Sequence, residues 1–230
     1  MDTVDIIIPV YNEENTIENI LEVVDNTDFC GMKKNIIIVD DCSTDSTRDI
    51  LKKYENNYKI IYKEQNGGKG SAVSIGFKNA IGDIVLIQDA DLEYSPSDYS
   101  KLIDLIVRGE ADVAYGSRFL KTNPFGNFMF LSYLANRFLT CLTNIVYGTK
   151  LTDMETCYKA MKRELVQNIE IKSRKFDLEP EITAKLVKAG AKIKELPISY
   201  NARSYEGGKK ITYKDGLMAI WAILKYRFVD

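Results

Sequence analysis

The sequence predicts one α/β domain: a mostly parallel central sheet with helices on both faces. Three observations carry that expectation. Short runs of Ile, Val and Leu, apolar at consecutive rather than alternate positions, recur through the first half. A strand covered on both faces reads that way. Amphipathic stretches of helical period separate these runs. Finally, 230 residues at 45% hydrophobic content suffice for one large core.

The elements follow in order. "DIIIPV" (5–10) reads as a buried strand. In "ENTIENILEVV" (14–24), Ile17, Ile20, Leu21 and Val24 fall at helical spacing. "NIIIVD" (35–40) is the second strand, with a helix expected from about Ser46 to Asn56. "KIIYKE" (59–64) is the third, followed by a helix near Ser71 to Ile81. "DIVLIQD" (83–89) is the fourth. Pro96 suits a helix start, and Leu102, Ile103 and Ile106 mark that helix. "DVAYGS" (112–117) is the fifth strand. The second half is less regular. In residues 126–148, Leu131, Leu134, Phe138, Leu142 and Ile145 share one helical face. "FDLEPEITAKLVKAG" (176–190) is a helix ending at Gly190, and "AKIKELPISY" (191–200) is one or two edge strands broken by Pro197. "YEGGKKI" (205–211) is a loop. The chain closes on an amphipathic helix carrying Leu217, Trp221, Leu224 and Phe228.

Composition removes several function classes. A net charge of −2 argues against bulk nucleic-acid binding. The four cysteines (Cys30, Cys42, Cys141 and Cys157) are scattered without a CxxC pair, which fits free thiols. There is no histidine, which excludes histidine triads, histidine metal ligands and a histidine base. No basic leader precedes the first apolar run, and no run is long enough to span a membrane. The expected location is cytoplasmic, with membrane contact limited to the periphery of the inner face.

In a parallel sheet, ligands bind beyond the carboxyl ends of the strands, and the polar signals of this sequence cluster there. Residues 9–14 follow the first strand, Asp40 and Asp41 the second, and "NGGKGS" (66–71) the third. Asp89, Asp91 and Glu93 follow the fourth, and Arg118 the fifth. Three carboxylates at alternating positions can converge on a hard cation, Mg²⁺ or Mn²⁺, whose shell substrate phosphates complete. A solvated turn with an aspartate cap is the competing interpretation. "NGGKGS" lacks the spacing of a P-loop and of GxGxxG. It is either a phosphate or sugar contact or a plain turn at a hairpin or helix start. In "VDDCSTDST" (39–47), Ser43, Thr44 or Asp45 could cap the next helix. Asp40 or Asp41 could instead accept hydrogen bonds from a base or ribose.

Seven ordered motifs then carry a resemblance: "IPVYNEENTI", "VDDCSTDST", "NGGKGSAVSIGF", "QDADLEYSP", "GSRF", "TDMETCYKAM" and "PISYNARSYEGGKKI". Together they resemble the family 2 glycosyltransferases of the GT-A fold. The branch most similar is the dolichyl and polyprenyl-phosphate sugar synthases, over residues 4 to about 215. The resemblance implies a single GT-A domain, with residues 1–118 binding a nucleotide sugar and 119–230 the acceptor. It implies that Pro9, Tyr11, Glu13 and Asp41 hold the base and ribose. Lys69 lies near the donor, and Ala90 leaves room for the ribose. Asp89 and Asp91 are the metal and diphosphate ligands, with Glu93 beside them. Arg118 meets the acceptor phosphate. Arg203 with Lys209 or Lys210 closes on phosphates. Two departures stand out. Cys42 replaces the usual Gly of "DDGS". "ETCYK" replaces "TSGFR", so Cys157 and Tyr158 reshape the sugar pocket.

The reaction this implies is an inverting displacement at the anomeric carbon with a nucleoside diphosphate, uridine or guanosine, leaving. A polyprenyl phosphate acceptor needs no strong base. A saccharide acceptor, as in capsule or lipopolysaccharide extension, needs one, and Asp153 is the candidate. Glu155, Glu179 and Glu181 stand behind it; the last two also suit helix N-terminal charges. The helix near 129–146 either packs in the core or a dimer, or receives a polyprenyl chain beside Phe125, Phe128, Phe130 and Arg137. Homo-oligomerisation stays open. A nucleotide-sugar pyrophosphorylase or non-catalytic nucleotide-binding module is the reading from another class. "PVYNEENT" lacks the glycine-rich loop such a pyrophosphorylase needs.

Overall fold

The computed structural model describes residues 1–29, 31–120, 130–201 and 213–229. Within them seven strands form the sheet: β1 (Thr3–Val10), β2 (Lys33–Asp40), β3 (Lys59–Tyr62), β4 (Ile84–Ile87), β5 (Val113–Ser117), β6 (Lys159–Lys162) and β7 (Ile193–Pro197). Their order is β3-β2-β1-β4-β6-β5-β7. β1 pairs parallel with β2 and β4, β2 with β3, and β5 with β7. β6 runs antiparallel between β4 and β5. Among the described residues, eight α-helices accompany them: α1 (Ile17–Asp25), α2 (Thr47–Leu51), α3 (Lys69–Asn79), α4 (Tyr99–Val107), α5 (Phe130–Tyr147), α6 (Arg163–Gln167), α7 (Leu178–Lys188) and α8 (Tyr213–Phe228).

The continuous apolar runs behave as predicted. Val4, Ile6, Ile7 and Ile8 of β1 and Ile84 to Ile87 of β4 are almost wholly shielded from solvent. Successive strand side chains face opposite ways, so burial of consecutive residues means both sheet faces are covered. Asp5 breaks the run without penalty. Its carboxylate accepts from Ile81 N (2.5 Å), Gly82 N (2.7 Å) and Asn35 Nδ2 (2.8 Å), and so fixes the turn into β4. Parallel β1, β2, β4 and β5 bring their carboxyl ends to one edge of the sheet.

Several boundaries differ from the expectation. The second helix is a short α-helix followed by a 3-10 turn at Lys52–Tyr54. The third starts at Lys69, inside the glycine-rich stretch, so "NGGKGS" is a helix start. Pro96 opens a 3-10 turn, Pro96–Asp98, ahead of α4. The strand β6 and helix α6 carry no readable periodic signal, being only four and five residues long.

The helix near 129–146 is the largest correction to a core-packing reading. Leu131 (75% exposed), Phe138 (58%) and Ile145 (75%) face solvent. The buried positions are Leu139, Thr140 and Thr143. α8 repeats the pattern: Trp221 (58%) and Phe228 (86%) are exposed, while Ala219, Ala222, Ile223 and Tyr226 are buried. The two helices pack together, with Tyr147 Oη donating to the Ile223 carbonyl at 2.8 Å. Among the described residues no helix is long and apolar enough to cross a membrane.

Candidate active site

The ends of β1 and β2 are stitched together by short polar side chains. Asn12, held at φ 55°, donates its N–H to Ser43 Oγ (3.0 Å) and accepts from Thr44 N at 2.8 Å. Glu13 N donates to Thr47 Oγ1 at 2.9 Å. Asp45 caps α2 through Thr47 N at 3.0 Å. Ser43 and Thr44 thus serve the first loop, and Asp45 serves both the helix and the loop, accepting from Glu14 N at 3.3 Å. Pro9 is half-buried at the end of β1, and the Tyr11 ring beyond it is exposed. Glu13 Oε2 accepts from Thr16 Oγ1 at 2.6 Å.

The two acids of "VDD" are buried and engaged. Asp40 accepts from Ser43 N and pairs with Arg48 at 2.6 Å. Asp41 accepts from Gly67 N (2.9 Å), Gly68 N (2.6 Å) and the Lys63 ammonium. A carboxylate has about four acceptor sites, so Asp41 has little capacity left. Its position fixes the glycine turn that leads into α3. That turn also needs glycine for space. A Cβ at Gly68 (φ +81°) would lie 2.1 Å from the Arg174 carbonyl oxygen, and one at Gly70 2.1 Å from that of Ser173.

The turn delivers Lys69 to the acids after β4. Its ammonium lies 2.8 Å from Asp89 Oδ1, 3.3 Å from Cys157 Sγ and 3.5 Å from Glu179 Oε1. Burial opposes the Lys69 charge, but Asp89, then Cys157 and Glu179, outweigh it and hold its pKa well above the usual range. Ala90 is buried against the core. Asp91 Oδ1 accepts from Glu93 N at 3.1 Å, across Leu92 at φ 59°. A non-glycine residue with positive φ stores strain of order 1 kcal/mol. Glu93 turns to Tyr200, whose hydroxyl donates to Oε2 at 2.6 Å. Among the described residues no group of three or more Asp, Glu, Cys or His side chains converges as a metal site. Asp89 and Asp91 nonetheless present hard oxygen donors on one turn, and Lys69 already places a cation against Asp89. That donor set fits a divalent ion whose remaining ligands come from phosphate.

The end of β5 holds a second ion pair. Arg118 is bidentate on Asp153, with Nε to Oδ2 and Nη2 to Oδ1 both at 2.7 Å, and its own N–H donates to Oδ2 at 3.0 Å. Asp153 is fully buried. Burial pulls the Arg118 pKa down, but Asp153 and Tyr94 carry it well above normal. The guanidinium also lies over Tyr200, 5.2 Å from the ring centre. Glu195 of β7 holds the preceding loop, accepting from Thr152 N at 2.7 Å and Asp153 N at 3.0 Å. Arg137 of α5 reaches the same loop through the Thr152 carbonyl at 3.0 Å. Arg118, Asp153 and Arg137 are therefore neighbours. With both oxygens on Arg118, Asp153 is arranged as a holder of that guanidinium rather than as a base. Arg203, Lys209, Lys210, Phe125 and Phe128 lie outside the described residues, as do Cys30 and the side chain of Phe130.

Several site groups gave no sequence signal. Lys159 of β6 is fully buried, bonded to the Met154 carbonyl (3.1 Å), the Thr156 carbonyl and Glu179 Oε2. Glu179, in the first turn of α7, thus bridges Lys159 and Lys69. Glu181 instead accepts from Lys172 N and Ser173 N and pairs with Lys185 at 2.7 Å. Gln88, wholly buried, orients the Asp89 backbone through its Nε2 at 2.7 Å and accepts from Tyr158 Oη at 2.5 Å. Tyr94 stacks on Tyr158 at 4.7 Å, beside the buried Cys157. Burial raises the Cys157 thiol well above its ordinary value, so it is a packing group and not a nucleophile.

The sheet is mostly parallel, with polar loops at its carboxyl edge and two basic–acidic pairs, Lys69 with Asp89 and Arg118 with Asp153, at the ends of its strands. The sequence pattern of Glycosyl transferase family 2 matches residues 5–170, and the chain belongs to that family. It is therefore a glycosyltransferase, which sets aside the pyrophosphorylase and the non-catalytic module. A dolichol-phosphate mannosyltransferase of Pyrococcus furiosus is 31% identical over 97% of this chain. The chain spans 64% of that relative's length. A UDP-N-acetylglucosamine–dolichyl-phosphate N-acetylglucosaminyltransferase of Methanococcus voltae is 28% identical over 95% of this chain and 94% of its own. Glucosyl-3-phosphoglycerate synthase of Mycobacterium tuberculosis, in complex with Mn²⁺, UDP and glucosyl-3-phosphoglycerate, superposes with a TM-score of 0.74. It is 18% identical and covers 100% of this chain and 81% of that one. The fold is thus GT-A.

Proposed function

We propose that this protein transfers a sugar from a UDP- or GDP-sugar to a polyprenyl phosphate. The observation that carries the reading is the pair of cationic centres, Lys69 on Asp89 and Arg118 on Asp153, at one sheet edge. A two-phosphate reaction needs one centre for the leaving diphosphate and one for the attacking phosphate. In this reading residues 1–118 hold the donor and 119–230 the acceptor. Tyr11 stacks on the base, with Pro9 and Glu13 shaping its seat. Asp41 acts through the glycine turn. Asp89 and Asp91 would hold Mg²⁺ or Mn²⁺, which when bound supplies positive charge to the departing diphosphate. Glu93 stands behind them, tied to Tyr200.

Arg118 draws in the acceptor phosphate, and Asp153 fixes its guanidinium. The acceptor oxygen is already ionised and attacks the anomeric carbon opposite the leaving group, so configuration inverts. Arg137, Arg203, Lys209 and Lys210 complete the phosphate contacts. The lipid acceptor is favoured over a saccharide by the exposed apolar stripes of α5 and α8. Patches of that kind mark interaction surfaces. Lys225 lies 4.4 Å over the exposed Trp221 ring, an apolar body with a charged tip that suits a lipid headgroup boundary. The protein would thus sit peripherally on the inner face of the cytoplasmic membrane. Relatives named for dolichyl-phosphate acceptors support the same class.

The test is incubation with labelled UDP- and GDP-sugars, Mg²⁺ or Mn²⁺, and undecaprenyl phosphate. Label in the organic phase is expected. Label confined to water-soluble saccharide, with a saccharide acceptor supplied, would replace this reading by chain extension.

A further inference from the structure

One carboxyl close to the Arg118–Asp153 and Lys159–Glu179 pairs belongs to neither. Glu155 Oε1 is buried and has no hydrogen-bond partner among the described residues. The residue as a whole keeps some solvent exposure. Four charged groups act on it. They are Glu179 at the start of α7, Lys159 on β6, and Arg118 and Asp153 beyond β5. Both cations are spoken for: Lys159 by Glu179 and Arg118 by Asp153. Burial first, then Glu179, pushes the Glu155 carboxyl up to about 8 despite Lys159 and Arg118. At neutral pH the acid form then dominates by about ten to one. A buried polar atom left unpaired costs about 1–3 kcal/mol, and such an atom in a native structure calls for a reason, among them a group that comes to bond it.

We infer that Glu155 reads the transferred sugar, its carboxyl donating a hydrogen bond to a hydroxyl of the donor's sugar ring. The inference rests on the transfer reaction proposed above and deepens it. Glu155 feels both Glu179, which is paired with Lys69, and Arg118. In the proposed reaction Lys69 serves the diphosphate and Arg118 the acceptor, so the sugar passes between these two centres. Its hydroxyls are neutral, while the groups it joins are anionic. An ionised carboxylate at that point would repel both phosphates. A carboxylic acid avoids the repulsion and offers one donor and one acceptor, the pattern of a hydroxyl partner. A site built to bond a hydroxyl also rejects sugars that lack it, so Glu155 becomes a determinant of donor choice.

The experiment is calorimetric binding at pH 7 and pH 9, with Mg²⁺, of UDP, GDP and their hexose conjugates. The readout is the affinity gained by adding the sugar to the bare nucleotide. In the wild type this gain should fall about tenfold between pH 7 and pH 9, as the acid form is lost. Glu155→Gln should show a gain that does not change with pH. Glu155→Leu should show little gain at either pH, and a loosened preference among hexoses. Melting of the unliganded variants checks the fold, and Glu155→Gln suffices if the leucine variant does not fold. The inference is overturned if Glu155→Leu keeps the wild-type gain, or if Glu155→Gln keeps the alkaline loss. Wild type that binds nucleotides with a gain independent of Glu155 sinks this inference alone. Wild type that binds no nucleotide sinks the proposed reaction with it.

Discussion

The Glu155 carboxyl makes a stability prediction that needs no substrate. Its folded value is about 8, against 4.5 for an unhindered glutamate. Between those values the folded chain holds a proton that the unfolded chain has released. Stability therefore falls as pH rises through that window, and the penalty is complete above the folded value. Each pH step above 4.5 costs about 1.4 kcal/mol. By pH 7 the loss is about 3 kcal/mol. Glu155→Gln keeps the shape and cannot titrate, so it should escape the loss. Urea unfolding of both proteins from pH 5 to pH 8 is the assay. Every other titrating group is common to both, so the difference isolates position 155. The variant's advantage should grow from under about 1 kcal/mol at pH 5 to about 3 kcal/mol at pH 7, or about 6–12 °C in Tm for a chain of this size at the higher pH. Parallel pH profiles, equal within about 0.5 kcal/mol, would show that the carboxyl ionises freely and that the charge argument is wrong.

Four further outcomes test the geometry. Gly70→Ala drives a Cβ to 2.1 Å from the Ser173 carbonyl oxygen; chemical denaturation should show a loss of about 3 kcal/mol, with turnover falling as Lys69 is displaced. Asp153→Asn strips a buried Arg118 of its partner, and melting should show a loss of about 3–5 kcal/mol; a variant of normal stability and low turnover would restore the base role. Cys42→Gly relieves a φ of 65° and should raise Tm by about 2–4 °C in a thermal scan, a net gain of about 1 kcal/mol. Phe138→Ser with Trp221→Ser alters exposed side chains, so stability should move by under about 0.5 kcal/mol per site, while co-sedimentation with anionic vesicles should be lost.

The sheet's core was readable because its strands are buried on both faces. A run such as Ile84–Ile87 has one physical explanation, and the strand order then collects Asp89, Lys69 and Arg118 at one edge. The antiparallel β6 was not readable. Lys159–Lys162 has lysines at both ends of two apolar residues, which resembles a loop. Only tertiary pairing with β4 and β5, and Glu179 arriving from 20 residues away, makes a buried lysine there tolerable. The same reason hid the engagement of Asp40 and Asp41. Their partners Arg48, Lys63 and the glycine amides are brought close by folding alone. The stripe on α5 left two readings open for the opposite cause. Helical spacing reports that a face is apolar and leaves open what covers it. Cys42 is the intermediate case. The glycine expected there marks a left-handed backbone, and φ 65° bears that out even with a cysteine in place.

Charge balance explains why these acids were easy to see and their roles were not. Asp40 is matched by Arg48, Asp41 by Lys63, Asp89 by Lys69, Asp153 by Arg118 and Glu179 by Lys159. A carboxylate buried alone is expensive, and each pairing removes most of that cost. The five pairs leave these groups close to neutral before any ligand arrives. On the proposed reaction, a diphosphate and a lipid phosphate then bring several negative charges to one edge. Pairs already closed on each other cannot neutralise them without opening. Positive charge must come from a cation held by Asp89 and Asp91, from Arg203, Lys209 and Lys210, or from Lys69 and Arg118 turning from carboxylate to phosphate. Lys69 is the pair member best placed to turn. It faces two carboxylates at once, and a divalent ion taking over Asp89 would free it for the phosphates. In this site the acids thus hold the cations in position for a substrate that later competes for them.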